Sequence, residues 1–220
     1  EPWYWRLLNR ATLFLCAGTV FCSEGIKAEA GLSGKKLSVI QNGIRQLPAA
    51  AGRPLRRELG IGEDAKVVCC VARLARQKGQ DILIRALAML AAEYPELCLL
   101  LAGDGEDRGM LESLAAAEGV GAKVFFLGRR ADVAEILASS DIYAAPSRWE
   151  GFGLSLGEAM LSGIPCVATL IPGHTDMLRD GITGVAVPAE NPAGMAAGIR
   201  RLIVDAAAAR EISRAASGFI

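Results

Sequence analysis

The feature of this sequence that most constrains its fold is a repeated unit. A short apolar run is followed by a turn containing glycine and then by an amphipathic segment with helical spacing. The apolar runs are typical of strands buried on both faces, and the amphipathic segments are typical of surface helices. Strands and helices that alternate along a chain form a parallel sheet covered by helices on both faces. We therefore predict an α/β fold with a doubly wound, Rossmann-like parallel sheet.

The predicted strands occupy residues 37–40, 66–72, 97–102, 124–127, 142–145, 166–169 and 184–187. The predicted helices occupy residues 81–94, 108–118, 132–139, 154–162 and 193–214. A stretch rich in proline, glycine and alanine at 47–54 is the best candidate for a linker. We therefore predict a binding domain over residues 49–220, preceded at residues 1–48 by the tail of another domain and the linker. The chain begins with Glu1 instead of Met, so it is expected to be part of a longer protein.

Composition excludes several classes of partner. The chain has 24 basic and 24 acidic residues, a balance that does not favour nucleic acid. Its six cysteines include no Cys-x-x-Cys, and the single histidine is not spaced with any of them as a zinc site requires. We predict buried free thiols in a reducing compartment, hence a cytoplasmic protein. The uncharged stretch at 11–23 is about half of what spans a bilayer, and no signal peptide is evident.

Two carboxylates, Glu150 and Glu158, flank a glycine-rich turn between a predicted strand and a predicted helix. Gly151 and Gly153 let the backbone approach a ligand closely, and the free N–H groups at the helix start suit a phosphate. Glu158 lies in the second turn of this helix, from which its side chain leans back toward the same pocket. The alternative is a solvated Glu158 and a Glu150 that favours the helix dipole.

A second constellation, Arg73 and Lys78, lies after another buried strand and before a helix. Arg73 could bind one diphosphate through two parallel hydrogen bonds of its guanidinium group, and Lys78 could bind the same diphosphate through its ammonium charge. Ordinary loop charge is the alternative. The glycines at 103–105 are followed by Gly109, which is not the spacing of a dinucleotide fingerprint. The nearby Asp104 and Asp107 would repel a pyrophosphate, so we interpret residues 103–107 as structural, with caps and dipole partners.

Together these residues resemble the second domain of the family 4 retaining glycosyltransferases of GT-B fold. That domain carries an Arg-Leu-x-x-x-Lys-Gly loop, present here at 73–79, and a Glu-x7-Glu element with an internal Gly-Phe-Gly, present here at 150–158. The resemblance runs from about Cys16 to the C-terminus. It implies that Arg73 and Lys78 bind the donor diphosphate and that Glu158 accepts hydrogen bonds from the ribose.

Further roles follow from the same resemblance. Glu150 joins Arg73 and Lys78 as a catalytic residue and faces the transferred sugar. The residues implied to bind the donor are Gly128, Arg129, Gly151, Phe152, Gly153, Leu154 and Glu158. One loop departs from the family pattern: a Gly-Gly-x-x-Glu turn is replaced at 171–176, where Asp176 is a shorter carboxylate and a histidine, His174, takes the place of a glycine. We predict that His174 is a turn or rim residue and not a general base.

The implied reaction is transfer of a hexose from a UDP-, GDP- or ADP-sugar with retention, in polysaccharide, lipopolysaccharide or glycolipid synthesis. Arg73, Lys78 and a helix N-terminus would neutralise the departing diphosphate, so no metal and no cofactor is expected. The saccharide or lipid-linked acceptor, and any peripheral membrane association, is assigned to a further N-terminal domain. The alternative is a nucleotide-binding module that needs a separate acceptor-domain chain. A Rossmann-type oxidoreductase is disfavoured by the glycine spacing and the basic pair.

Overall fold

The computed structural model describes residues 16–31, 37–50 and 53–220, and the aromatic cluster at residues 3–5 lies outside them. The strands are β1 Thr19–Phe21, β2 Leu37–Val39, β3 Val67–Val71, β4 Cys98–Ala102, β5 Val124–Gly128, β6 Ile142–Ala145, β7 Cys166–Thr169 and β8 Val185–Val187. The helices are α1 Glu24–Ala30, α2 Arg53–Glu58, α3 Gln80–Leu90, α4 Arg108–Ala117, α5 Val133–Ala138, α6 Leu154–Leu161, α7 Pro192–Val204 and α8 Ala206–Phe219. Two short 3-10 turns lie at Arg76–Lys78 and Gly121–Lys123.

Six strands form one parallel sheet in the order β5-β4-β3-β6-β7-β8. The chain starts at the centre of this sheet, winds outward to one edge, and then returns to wind outward to the other. The change of direction falls between β3 and β6, so the loops after these neighbouring strands leave the sheet in opposite directions. The predicted doubly wound parallel sheet is confirmed, and its topological switch point is the place where such folds bind ligands.

Alternate residues of the central strand β3 face two separate apolar layers. Val68 and Cys70 pack with α3, α4 and α7, whereas Val67 and Cys69 pack with α2, α5 and α6. Burial on both faces explains why the strand is apolar at every position. None of the helices in the described ranges is both long and apolar enough to cross a membrane.

The short strands β1 and β2 pair in parallel with each other, and among the described residues neither joins the six-stranded sheet. The division of the chain near residue 49 stays a prediction. The predicted linker is shorter than expected, because α2 begins at Arg53 and Pro54 is accommodated in its first turn, where a missing N–H costs nothing.

Two predicted helices differ from those observed. The single helix predicted over 193–214 is two helices, because Asp205 leaves the helical region at φ −110° and ψ 78° and its carboxylate accepts from Ala208 N at 2.9 Å. The helix predicted over 81–94 ends at Leu90, and successive tight turns lead the chain to Pro95.

Arg56 fastens α2 to the amino-terminal end of the sheet, opposite the switch-point loops. Its Nε donates to Ser139 O at 2.8 Å and its Nη1 donates to Ala65 O at 3.0 Å. Its Nη2 donates to Asp141 Oδ2 at 2.9 Å, and the same oxygen accepts from Val67 N at 2.8 Å. One guanidinium thus joins a helix to the segments that begin β3 and β6.

We predict that Arg56→Ala lowers the free energy of unfolding by about 2–4 kcal/mol, because several partly buried acceptors lose their donor together. Urea denaturation of the purified chain measures this. The control is Arg57→Ala, at the neighbouring exposed position, which should stay within about 0.5 kcal/mol of wild type. Equal stabilities of the two variants would show that the Arg56 network does not hold the sheet.

Candidate functional site

The switch point opens into a cleft of about 470 Å³ at the carboxyl ends of β3 and β4. The cleft is lined by Val71, Ala72, Arg73, Ala102, Gly103, Asp104, Arg129, Arg130 and Ser155. Two of the predicted site residues, Arg73 and Arg129, therefore lie on one cleft although they are far apart in sequence. Ser155 belongs to the first turn of α6, so the start of that helix forms part of the same wall.

Lys78 and Glu150 meet beside this cleft. Lys78 Nζ lies 2.5 Å from Glu150 Oε1, and the same oxygen accepts from Ser147 Oγ at 2.8 Å. The two charged side chains are only 21% and 11% exposed. In the part of the chain that the structure describes, Glu150 Oε2 accepts no hydrogen bond, so one carboxylate oxygen remains for a ligand.

The loops that carry these two residues are joined by Arg148. Its Nη1 and Nη2 donate to the two carboxylate oxygens of Asp81 at 2.8 and 2.9 Å, and Nη1 also donates to Arg76 O at 2.7 Å. The bidentate pair fixes the start of α3 against the turn after β6. It therefore sets the distance between Lys78 and Glu150 without touching the cleft itself.

Asp81 stays charged within this frame. Burial alone would raise the pKa of Asp81, but the hydrogen bonds and positive charge of Arg148 outweigh burial and hold that pKa below its usual range. Sequence reasoning missed both residues and also missed Ser147. The available cue was local, an acidic residue in the first turn of a helix, and it is explained equally well by the helix dipole.

The turn before α6 is shaped by a contact that only glycine permits. Gly153 has φ 79°, and a Cβ built there would lie 2.7 Å from His174 Cδ2 and 3.0 Å from His174 Nε2. His174 is 1% exposed, and its Nδ1 lies 2.8 Å from Thr169 O. His174 lies in a turn, as predicted, but it is buried and not at a rim, because the imidazole fills the space that the missing side chain of Gly153 leaves.

The remaining predicted residues occupy distinct positions around α6. The Phe152 side chain packs into the core at 6% exposure, so at that position only the backbone can face a ligand, whereas Leu154 is 47% exposed. Glu158 is half-buried in the second turn of α6 and is not among the residues that line the cleft. Gly128 accepts at its carbonyl from Gly103 N at 2.8 Å, which brings the loop before Arg129 to the cleft.

The acidic turn after β4, which the sequence analysis interprets as structural, also borders the cleft. Gly103 and Asp104 line the cleft, where Asp104 lies in the same wall as Arg73. The Asp104 carboxylate accepts from Gly105 N at 2.9 Å. Asp107 takes the N-cap position of α4, but its side chain makes no capping hydrogen bond.

The segment that contains β1 and α1 lies against the rim of the site. The carboxylate of Asp176 accepts from Glu24 N at 2.9 Å and from Gly25 N at 3.1 Å, at the start of α1. Cys22 Sγ donates to Gly151 O at 3.1 Å. The amino-terminal segment therefore contacts both the glycine turn of the site and the loop at 171–176, which is the loop that differs from the family pattern.

The fold and the site geometry agree with the family described as "Glycosyl transferases group 1", which matches residues 53–218. The chain belongs to this family. The matched range contains the six-stranded sheet, both switch-point loops and the whole of α6. The doubly wound domain is accordingly one of the two domain types of a GT-B glycosyltransferase.

Individual relatives support the same assignment. A D-inositol 3-phosphate glycosyltransferase of Corynebacterium kroppenstedtii is 36% identical over 159 residues, covering 68% of this chain and 35% of the relative. The lipopolysaccharide core biosynthesis mannosyltransferase LpsB of Rhizobium meliloti is 30% identical over 182 residues, covering 78% and 50%. The crystal structure of Anabaena Alr3699/HepE in complex with UDP and glucose matches with a TM-score of 0.82 at 28% identity, covering 92% and 58%. The chain spans half or less of the length of these two curated relatives.

We predict that the contribution of the Asp81–Arg148 pair to the free energy of unfolding decreases as the pH is lowered. A carboxyl whose pKa is lower in the folded state stabilises the fold above its unfolded pKa of about 3.9, and this contribution is lost as pH falls through the folded pKa. Urea midpoints of wild type and Asp81→Asn, measured from about pH 7 down to about pH 2.5, should therefore converge at the acid end. Asp64→Asn, at an exposed position, is the control and should follow wild type throughout. A constant gap between wild type and Asp81→Asn would contradict this assignment.

Proposed function

We propose that this chain is the donor-binding domain of a family 4 glycosyltransferase that transfers a hexose from a nucleoside-diphosphate sugar with retention of configuration. The observation that carries the proposal is the meeting of Lys78 and Glu150 at the switch point, beside the start of α6. A cation, a carboxylate and a helix N-terminus lie together there, beside the cleft that Arg73 lines.

The cationic side chains of the cleft differ in their availability to a diphosphate. Arg130 is committed to Asp132, with contacts at 2.8 and 2.6 Å. Among the described residues, no carboxylate pairs with Arg73 or Arg129, and both are exposed. Arg73 is therefore free to form a bidentate contact with a phosphate group, which is the geometry that guanidinium favours.

The chemistry required of these residues is electrostatic. Transfer of the hexose leaves negative charge on the departing diphosphate, and that charge is stabilised by fixed donors and cations in a partly dry site. Lys78 supplies one such cation and is held in place by Glu150, whose carboxylate also accepts a hydrogen bond from Ser147. The N–H groups in the first turn of α6 supply a second positive pole, because Gly153 at its N-cap makes no side-chain capping bond. We propose no metal and no cofactor in this step.

Glu158 is proposed to accept hydrogen bonds from the ribose hydroxyls. It lies in the second turn of α6, and helical side chains lean toward the N-terminus of their helix, here toward the site. Within the described ranges its carboxylate forms no hydrogen bond or ion pair. Gly128 and Arg129, of which Arg129 lines the cleft, are proposed to contact the base of UDP, GDP or ADP.

The comparisons support a role in the synthesis of polysaccharide, lipopolysaccharide or glycolipid. HepE was crystallised with UDP and glucose, and LpsB is named for lipopolysaccharide core biosynthesis. We propose that the acceptor, a saccharide or a lipid-linked saccharide, binds outside this domain on a second domain of the GT-B enzyme. The proposed compartment is the cytoplasm.

Arg73→Ala should weaken the affinity for a nucleoside diphosphate about tenfold or more, because one charge-assisted phosphate contact is lost while the fold is untouched. Lys78→Ala should weaken it similarly and also lower the melting temperature, because the Glu150 carboxylate is left without its cation. Calorimetric titration with UDP, GDP and ADP measures both effects.

The matched control for this experiment is Arg76→Ala. Arg76 lies in the same loop, is exposed, and contributes only its carbonyl to the Arg148 network. Its removal should leave diphosphate affinity near that of wild type. If Arg73→Ala bound the preferred diphosphate as tightly as Arg76→Ala, the cleft would not be the diphosphate site and the proposed function would fail.

The two glutamates are predicted to act on different parts of the donor. Glu158→Gln should weaken binding of the free diphosphate, because the ribose loses a charged acceptor. Glu150→Gln should leave that affinity near wild type and reduce sugar transfer in the complete enzyme. The first effect is measured by titration and the second by turnover. A loss of free diphosphate affinity in Glu150→Gln alone would reverse the two assignments.

A further inference from the structure

A small cavity of about 20 Å³ lies beside the Lys78–Glu150 pair. A cavity of this size has room for one water molecule or one hydroxyl group. Its polar wall includes Ser147 and His174 in addition to the ion pair. The reaction scheme above gives no role to His174, although this nearly buried imidazole faces the same space.

The hydrogen bond at one ring nitrogen fixes what the other can do. His174 Nδ1 lies 2.8 Å from Thr169 O, and a carbonyl oxygen only accepts, so Nδ1 carries the proton and donates it. Burial lowers the pKa of His174 below its ordinary value, and the two charged groups nearest to it, Lys78 and Glu150, act on that pKa in opposite directions. In the resulting neutral ring, Nε2 has a lone pair and no proton.

The orientation of the ring places Nε2 beside the glycine turn of the site. The Nε2 and Cδ2 edge of His174 lies against Gly153, within 3.0 Å of where a Cβ would stand. Within the described residues Nε2 forms no hydrogen bond. An acceptor that borders a polar cavity is open to a donor from a ligand, and the phosphates of a sugar nucleotide carry no proton to donate at neutral pH. The complementary group is a hydroxyl.

We propose that His174 Nε2 accepts a hydrogen bond from one hydroxyl of the transferred sugar and that His174 thereby contributes to the choice of hexose. This inference rests on the proposed function. A hydroxyl is both donor and acceptor, so the same group can receive a hydrogen bond from Lys78 while it donates to His174. The nucleobase is not the expected partner, since its proposed contacts lie at Arg129.

The unmodified protein offers a direct test, because His174 is the only histidine of the chain. Its ring nitrogens can therefore be assigned without ambiguity in a nitrogen-15 NMR spectrum. We expect an unprotonated Nε2 in the free protein and no change on adding UDP, GDP or ADP. The sugar nucleotides to be tested are UDP-glucose, UDP-galactose, GDP-mannose and ADP-glucose. The one that the protein binds as its donor should move the Nε2 resonance toward the range of a hydrogen-bonded nitrogen. A protonated Nε2 in the free protein, or no response to a sugar nucleotide that binds, would overturn the proposal.

Two substitutions separate binding from packing. His174→Asn keeps an amide N–H where Nδ1 meets Thr169 and removes the acceptor at Nε2. It should weaken the sugar nucleotide about threefold to tenfold and leave the diphosphate unchanged. His174→Gln places an amide oxygen near the Nε2 position and should restore part of the loss. A merely structural role would instead lower the melting temperature and weaken both ligands together.

The outcomes also distinguish this inference from the proposed function. If the wild-type chain bound none of UDP, GDP and ADP, the proposed function itself would be contradicted. Normal diphosphate binding, with the preference for a sugar nucleotide over its diphosphate unchanged in His174→Asn, would overturn only the role of His174. If His174→Asn does not fold, the NMR titration of the unmodified chain decides.

Discussion

The site depends on the parallel pairing of β3 with β6 at the centre of the sheet. Val68 is paired with Ile142, and Cys69 with Tyr143, so the two strands end at the same edge. The chain winds away from this pair in both directions, which keeps crossover helices out of the gap above it. Lys78 and Glu150 are 72 positions apart in sequence and reach one point because those two strands are neighbours.

The charged residues at the carboxyl ends of β3 and β6 have two different roles: some hold the loops in place, and others are available to bind a ligand. The Asp81–Arg148 pair is bidentate, low in exposure and turned away from the cleft, so it holds the two loops whether or not a ligand is bound. Arg73 is exposed and has no carboxylate partner within the described residues. Because the Asp81–Arg148 ion pair fixes the loop, Arg73 can remain unpaired and available for a ligand while its loop stays in place.

Sequence reasoning was most accurate where a structure is determined locally. β6 and β7 lie at the predicted residues, because a short apolar run bounded by turns leaves few alternatives. The break at Asp205 was missed, since the flanking segments are both good helix formers. The burial of His174 and the Arg148–Asp81 contact could not be inferred, because each depends on which distant residue occupies the adjoining space. Placement of Arg73 beside Arg129 followed from the family resemblance and could not be derived from spacing.

The loop at 171–176 shows how the amino-terminal segment and the site share one element. His174 packs against Gly153 on one side of this loop, and two residues later Asp176 binds the start of α1 on the other. Ile44 adds a second contact, since its side chain occupies the space where Gly157 of α6 lacks a Cβ. The predicted boundary near residue 49 therefore separates two segments that are packed against each other. Residues before it contact Gly151 in the glycine turn, Gly157 in α6 and Asp176 in the loop, so this segment is packed directly against the proposed sugar site.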